Sequence, residues 1–131
     1  VAAMSGVDIR LLLSTKSDSL LVKWTVRSIF EDLLESGVKI YLFPNGFLHS
    51  KIIISDDELT TIGTANLDIR SFEQNYEVNI LMYDSEISTK LKQDFLIDCK
   101  KSNQLNYKQF LKRPKTDRLK EGIAKVFSPV L

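Results

Sequence analysis

The 131-residue sequence is long enough for one domain with a real core, and its 44% hydrophobic and 27% charged shares are those of a globular chain. No stretch of about 18 apolar residues occurs, which excludes a membrane-crossing helix within these residues. Cys99 is the sole cysteine, which excludes a disulfide framework and a cysteine-based zinc site; it reads as a buried structural thiol on the apolar side of a helix.

The net charge of +1 hides an asymmetry. Residues 1–99 carry 9 Lys/Arg against 15 Asp/Glu, and residues 100–131 carry 9 against 2. A tail of +7 either meets an anionic partner, lipid headgroups or nucleic acid, or is a solvated basic helix. At the other end, Val1-Ala2-Ala3-Met4-Ser5-Gly6 lacks a signal-peptide pattern and reads as the last turn of a helix capped by Gly6. A piece of a longer chain is therefore expected.

In chain order, residues 7–13 mix β-branched and apolar side chains and predict a buried strand. Ser17, Asp18 or Ser19 can cap the helix that follows, in which Leu20, Leu21, Trp24, Ile29, Phe30, Leu33 and Leu34 recur at helical spacing and Gly37 gives the stop. Trp24 and this stripe read as core rather than as an acyl-chain groove. Residues 38–43 predict a second strand, ended by Pro44-Asn45-Gly46. Further strands are expected at 48–55, 59–64 and 76–83, with an irregular stretch or short helical turn over 67–75. Asp84 or Ser85 caps a long helix with Ile87, Leu91, Phe95 and Cys99 on one side. A polar link near Ser102-Asn103-Gln104 leads to Tyr107 and Phe110, and Pro114 precedes a last amphipathic helix over about 116–127. Leu119, Ile123, Val126 and Phe127 form its apolar side, which either packs on the domain, the reading favoured from sequence, or enters a membrane interface. The fold class is α/β, with a mixed β-sheet flanked by helices.

The only histidine, His49, begins His49-Ser50-Lys51-Ile52-Ile53-Ile54-Ser55-Asp56. Residues two apart on a strand share a face, so His49 and Lys51 are expected side by side. An imidazole beside an ammonium suits an anion better than a core. One strand later, Gly63-Thr64-Ala65-Asn66 offers a close backbone approach, a hydroxyl and an amide, all suited to phosphate oxygens.

The spacing His49-x-Lys51-x4-Asp56-x6-Gly63-Thr64-x-Asn66 resembles the phospholipase D superfamily signature. Around it, Gly6-Val7-Asp8-Ile9-Arg10-Leu11, Glu35-Ser36-Gly37-Val38-Lys39-Ile40-Tyr41, Gly46-Phe47-Leu48, Asn66-Leu67-Asp68-Ile69-Arg70-Ser71-Phe72, Asn75-Tyr76-Glu77-Val78-Asn79 and Phe127-Ser128-Pro129-Val130-Leu131 resemble the bacterial cardiolipin synthase family. The likeness covers nearly the whole chain and is loosest over 100–115. It implies a phospholipase D-like half-domain over residues 1–131, with the motif region at 44–71 and a basic tail at 104–131. Two such halves enclose one shared active site.

The resemblance further implies roles. His49 is nucleophile or general acid/base, Lys51, Thr64 and Asn66 bind phosphate oxygens, and Glu77 orients the imidazole. Asp56 joins the catalytic set as a motif member that orders its turn rather than carrying a proton. Asp68 and Arg70 are expected as an ion pair beside the site. No metal or cofactor is implied. The implied reaction makes cardiolipin and glycerol from two phosphatidylglycerol molecules. It takes place at the bacterial inner, cytoplasmic membrane in the full-length protein, whereas this piece is expected to be soluble. The chain has one motif where the chemistry needs two, so its partners are a second H-x-K half-domain, from the same full-length chain or a second copy, phosphatidylglycerol and an anionic membrane surface. As a monomer it is expected to be inactive. A phosphodiesterase or nuclease activity is the alternative, weakened by the few aromatic residues, Tyr107 and Phe110, set among the basic ones.

Overall fold

The computed structural model describes all residues except 17, 18, 45, 47, 67–70, 72 and 128–131; for Phe127 it describes the backbone alone. Strand β1 (Arg10–Ser14) runs parallel to β2 (Lys39–Phe43), and β6 (Asn103–Gln104) pairs antiparallel with β2. Strands β3 (Lys51–Ser55), β4 (Leu59–Gly63) and β5 (Asn79–Tyr83) form a separate antiparallel meander. The mixed sheet flanked by helices is thus present, accompanied by a second sheet. The segment at 103–104, expected as a polar link, supplies β6 and fills the edge of β2 that a longer strand would otherwise use.

Helices α1 (Leu20–Ser28) and α2 (Phe30–Glu35) replace the single helix expected there. Ser28 Oγ donates to the Thr25 carbonyl at 2.7 Å, a local bond that competes with the helical ladder, and the chain turns at Ile29. Ile29 is accordingly exposed, although its spacing placed it on the apolar stripe. Helix α2 ends in a Schellman motif: Val38 N–H bonds the Leu33 carbonyl, Gly37 N–H bonds the Leu34 carbonyl, and Gly37 takes φ 94°. At the start of the chain, Gly6 caps a short 3₁₀ turn, Ala3–Ser5. Further along the chain are the helices α3 (Ser85–Lys100), α4 (Tyr107–Leu111) and α5 (Lys115–Phe127).

The main core lies between the β1–β2 pair and the α1, α2 and α4 helices. Leu11 and Leu13 alternate inward from β1, Ile40 and Leu42 from β2, and they meet Phe30, Leu34, Val38 and Phe110. Outside this core Asp8 clips the strand ends together. It receives bonds from Arg10 at 2.6 Å and Lys39 at 2.8 Å, which hold its carboxyl well below the usual carboxylate range.

Helix α3 packs on both sheets and so joins them. Asp84 caps it by accepting from the Ile87 N–H at 2.9 Å. Cys99, near its end, is the buried thiol the sequence predicts, and burial pushes its pKa up. On the second sheet α3 meets β4 through a fully buried hydroxyl pair, Thr60 and Ser88, 2.9 Å apart. Thr60→Val strands the Ser88 hydroxyl in an apolar setting and is expected to cost about 1–3 kcal/mol in chemical denaturation. Adding Ser88→Ala should recover most of that loss; an additive double variant would show that the two hydroxyls are not coupled.

Candidate active site

The second sheet gathers most of the motif, all but Asp56, at one end. Its ladder runs Lys51 to Gly63 to Asn79 at that end and Ser55 to Leu59 to Tyr83 at the other. Directly opposed residues of antiparallel strands share a face, so Lys51 and Asn79 project to the same side with Gly63 between them. The lack of a side chain at Gly63 is a packing requirement. A Cβ there would overlap the Asn79 side chain and the Val78 carbonyl.

His49 lies just before β3 rather than within it: the strand begins at Lys51, and residues 48–50 have no ladder partners. The contact between the two motif residues is through the backbone. Lys51 Nζ donates to the His49 carbonyl at 2.7 Å, which draws the ammonium back toward the histidine. His49 is exposed, and Lys51 is half-buried.

Beyond β4, Thr64 ties the two neighbouring segments. Its N–H donates to the Val78 carbonyl at 3.0 Å, and its Oγ1 accepts from the Val78 N–H at 3.0 Å. This clasp holds Glu77, in the extended stretch before β5, beside the end of β4. Asn75 Nδ2 donates to Glu77 Oε1 at 3.2 Å, and Glu77 is half-buried. Asn66 is exposed, with its backbone N–H donating to the buried Ser71 Oγ at 3.1 Å. The expected pair Asp68 and Arg70 lies outside the described residues.

The structure thus brings His49, Lys51, Thr64, Asn66 and Glu77 to one sheet end. Asp56 is at the opposite end. It opens the 56–58 turn of the β3–β4 hairpin with φ 53°, the left-handed conformation that Asp tolerates better than most side chains. Five residue steps along the strand, about 17 Å, separate it from Lys51. Two residues of the site were not singled out from sequence. Asn79 continues the period of Leu81 and Tyr83 toward Gly63, and that polar residue in line with apolar ones was the available signal. Ser71 gave none, because nothing in the spacing marks the bond that its hydroxyl accepts from the Asn66 N–H.

The sheet face that carries Lys51 is open. On it, Ile53, Leu81 and Tyr83 are 52%, 54% and 80% exposed. The opposite face, with Ile54, Thr60 and Met82, turns toward α3.

A family model described as "Cardiolipin synthase, PLD-like domain" matches residues 1–99. The chain belongs to this cardiolipin synthase family. Over all 131 of its residues it is 48% identical to cardiolipin synthase 1 of Staphylococcus epidermidis, of which it covers 27%. It is 47% identical to the cardiolipin synthase of Geobacillus kaustophilus and 46% identical to that of Alkalihalophilus pseudofirmus, covering 26% of each. The chain therefore spans about a quarter of the length of the curated relatives it matches. Its mixed sheet flanked by helices is the architecture of a phospholipase D-like half-domain in this cardiolipin synthase family. Among the described residues, no helix is long and apolar enough to cross a membrane.

Proposed function

We propose that this chain supplies one half of the active site of a phosphatidyltransferase that converts two phosphatidylglycerol molecules into cardiolipin and glycerol. The observation that carries the reading is the meeting of 49–51, 63–66 and 77–79 at one end of one sheet, in a chain of the cardiolipin synthase family. In the first displacement a histidine Nε2 bonds to phosphorus and the bond from phosphorus to the glycerol oxygen breaks. The histidine of the second half-site gives that oxygen its proton. In the second, the hydroxyl of another phosphatidylglycerol attacks phosphorus, the P–N bond breaks and the proton returns. His49 takes one of these roles and the second half-site's histidine the other.

Lys51 and Asn66 stabilise the non-bridging oxygens of the five-coordinate transition state. Thr64 joins them: its Oγ1 accepts from Val78 N–H, and its contact with the Val78 carbonyl is long, 3.5 Å, so its proton is available to a phosphate oxygen. Glu77 orients the imidazole and fixes its tautomer. Asp56 shapes the hairpin that sets the position of Lys51. The second H-x-K half-domain, from the longer chain or another copy, covers the open face around Lys51, Ile53, Leu81 and Tyr83, and without it the monomer is inactive. The complete protein works at the bacterial cytoplasmic membrane.

Product analysis tests the reading. The complete protein given labelled phosphatidylglycerol is expected to release free glycerol and cardiolipin in equal amounts. Phosphatidic acid in place of cardiolipin would make water the acceptor and overturn the transferase assignment. Cleavage of single-stranded DNA with no lipid product would move the site to nucleic acid.

A further inference from the structure

Helix α5 has its faces reversed. Its buried residues are Glu121 and Ala124, 3% and 2% exposed, while Leu119, Ile123 and Val126 are 66%, 53% and 74% exposed. At 100° per residue those two sets lie on opposite sides of the helix. An ordinary surface helix buries its apolar stripe and shows its charges. The sequence-based expectation that this stripe packs on the domain is therefore not met.

Specific bonds impose the reversal. Glu121 accepts from Arg27 Nε at 3.2 Å and from Arg113 Nε at 2.9 Å, and Arg113 also reaches Glu31 at 2.6 Å. Thr25 Oγ1 donates to the Ala124 carbonyl at 3.2 Å. Asp117 lies 3.8 Å from Arg27. Turning α5 to bury its apolar stripe would break this network and leave Glu121 without its partners, an expensive exchange. Both acids of the helix are thereby taken inward, and the outward half is left with cations alone. Lys115 stands at the start of the stripe, Arg118 and Lys125 along one flank and Lys120 along the other.

We propose that α5 lies along an anionic lipid surface with Leu119, Ile123 and Val126 inserted among the upper acyl segments. This inference rests on the reading that the protein acts on phosphatidylglycerol. The flanking side chains are held at the level of the headgroups. Lys120 Nζ sits 5.0 Å over the Trp24 ring, Lys125 Nζ is 3.9 Å from Asp32, and Arg118 donates to the Leu111 carbonyl at 2.8 Å. An aliphatic stripe with cations on both flanks matches an interface whose interior is apolar and whose rim is negative. Nucleic acid would leave the stripe unused.

Co-sedimentation of the 131-residue chain with vesicles tests it. Binding is expected to phosphatidylglycerol vesicles and not to phosphatidylcholine, and to weaken as salt rises. The triple variant L119S/I123S/V126S should lower the partition coefficient at least about tenfold with its melting temperature unchanged, since these side chains are exposed. As a second readout, Ile123→Trp in a Trp24→Phe background should shift its emission to the blue on adding the anionic vesicles.

Triple-variant binding equal to the parent's would overturn the proposal, as would failure of the parent to bind. A change of oligomeric state in the triple variant, with vesicle binding retained, would assign the stripe to a protein partner and overturn it too. Turnover of detergent-dispersed phosphatidylglycerol by the complete protein needs no lipid surface. It therefore separates failure of this inference from failure of the reading on which it rests.

Discussion

Replacing His49 by alanine in the complete protein is expected to lower cardiolipin formation by at least about a thousandfold, the scale on which a nucleophile or a general acid acts. His49 lies outside the strand ladder and is exposed, and the bond from Lys51 goes to its backbone carbonyl, which alanine retains. The variant should therefore melt with the parent while its turnover collapses. On the roles proposed above the loss should fall on kcat, since Lys51, Thr64 and Asn66 are left in place to hold the phosphate. Turnover within tenfold of the parent would remove His49 from the chemistry. A thermal shift equal to the activity loss would instead make it a structural residue.

Gly63→Ala is the second large effect, and it acts through the backbone. The added Cβ meets the Asn79 side chain, which can rotate, and the Val78 carbonyl, which cannot move without breaking the clasp with Thr64. Overpacking of this kind typically costs about 1–3 kcal/mol. Chemical denaturation should show a loss in that range, and activity should fall further than stability alone requires, since β5 and the Glu77 segment shift away from Lys51. Combining it with Asn79→Ala removes one of the two overlaps, so the double variant should regain part of the lost stability and not all of it. A change below about 0.5 kcal/mol in Gly63→Ala, the ordinary range for surface substitutions, would mean that β4 and β5 are not packed as described.

The sequence made much of this visible where local signals are strong. The β-branched runs in 51–55 and 59–63 favour strands, Gly37 stops the second helix and Asp84 caps α3, and the elements follow these signals. Failures came where a local side-chain bond or a tertiary contact overrode spacing. Ile29 fits a helical stripe, yet the Ser28 back-bond breaks the helix there. Leu119, Ile123 and Val126 fit a buried stripe, yet the partners of Glu121, Arg27 on α1 and Arg113 in the bend before α5, turn the stripe outward. At the site, the typed spacing from His49 to Asn66 was legible as a motif, and it resembled that of the family to which the chain belongs. The distance between Asp56 and His49 was legible only after the hairpin register was known.

That register turns the motif into a ruler. Counting back from the left-handed turn at Asp56, Ser55, Ile53 and Lys51 fall on one face and Ile54 and Ile52 on the other. Inserting one residue into β3 would send the Lys51 ammonium toward α3, where a charge is costly, and leave an isoleucine over Gly63. Inserting two would restore the face but push Lys51 one pleat period, about 7 Å, past the Gly63–Asn79 rung. The four-residue gap between Lys51 and Asp56 thus fixes both direction and reach, and tolerance to indels in this hairpin should be far lower than tolerance to substitution at Ile52 or Ile53.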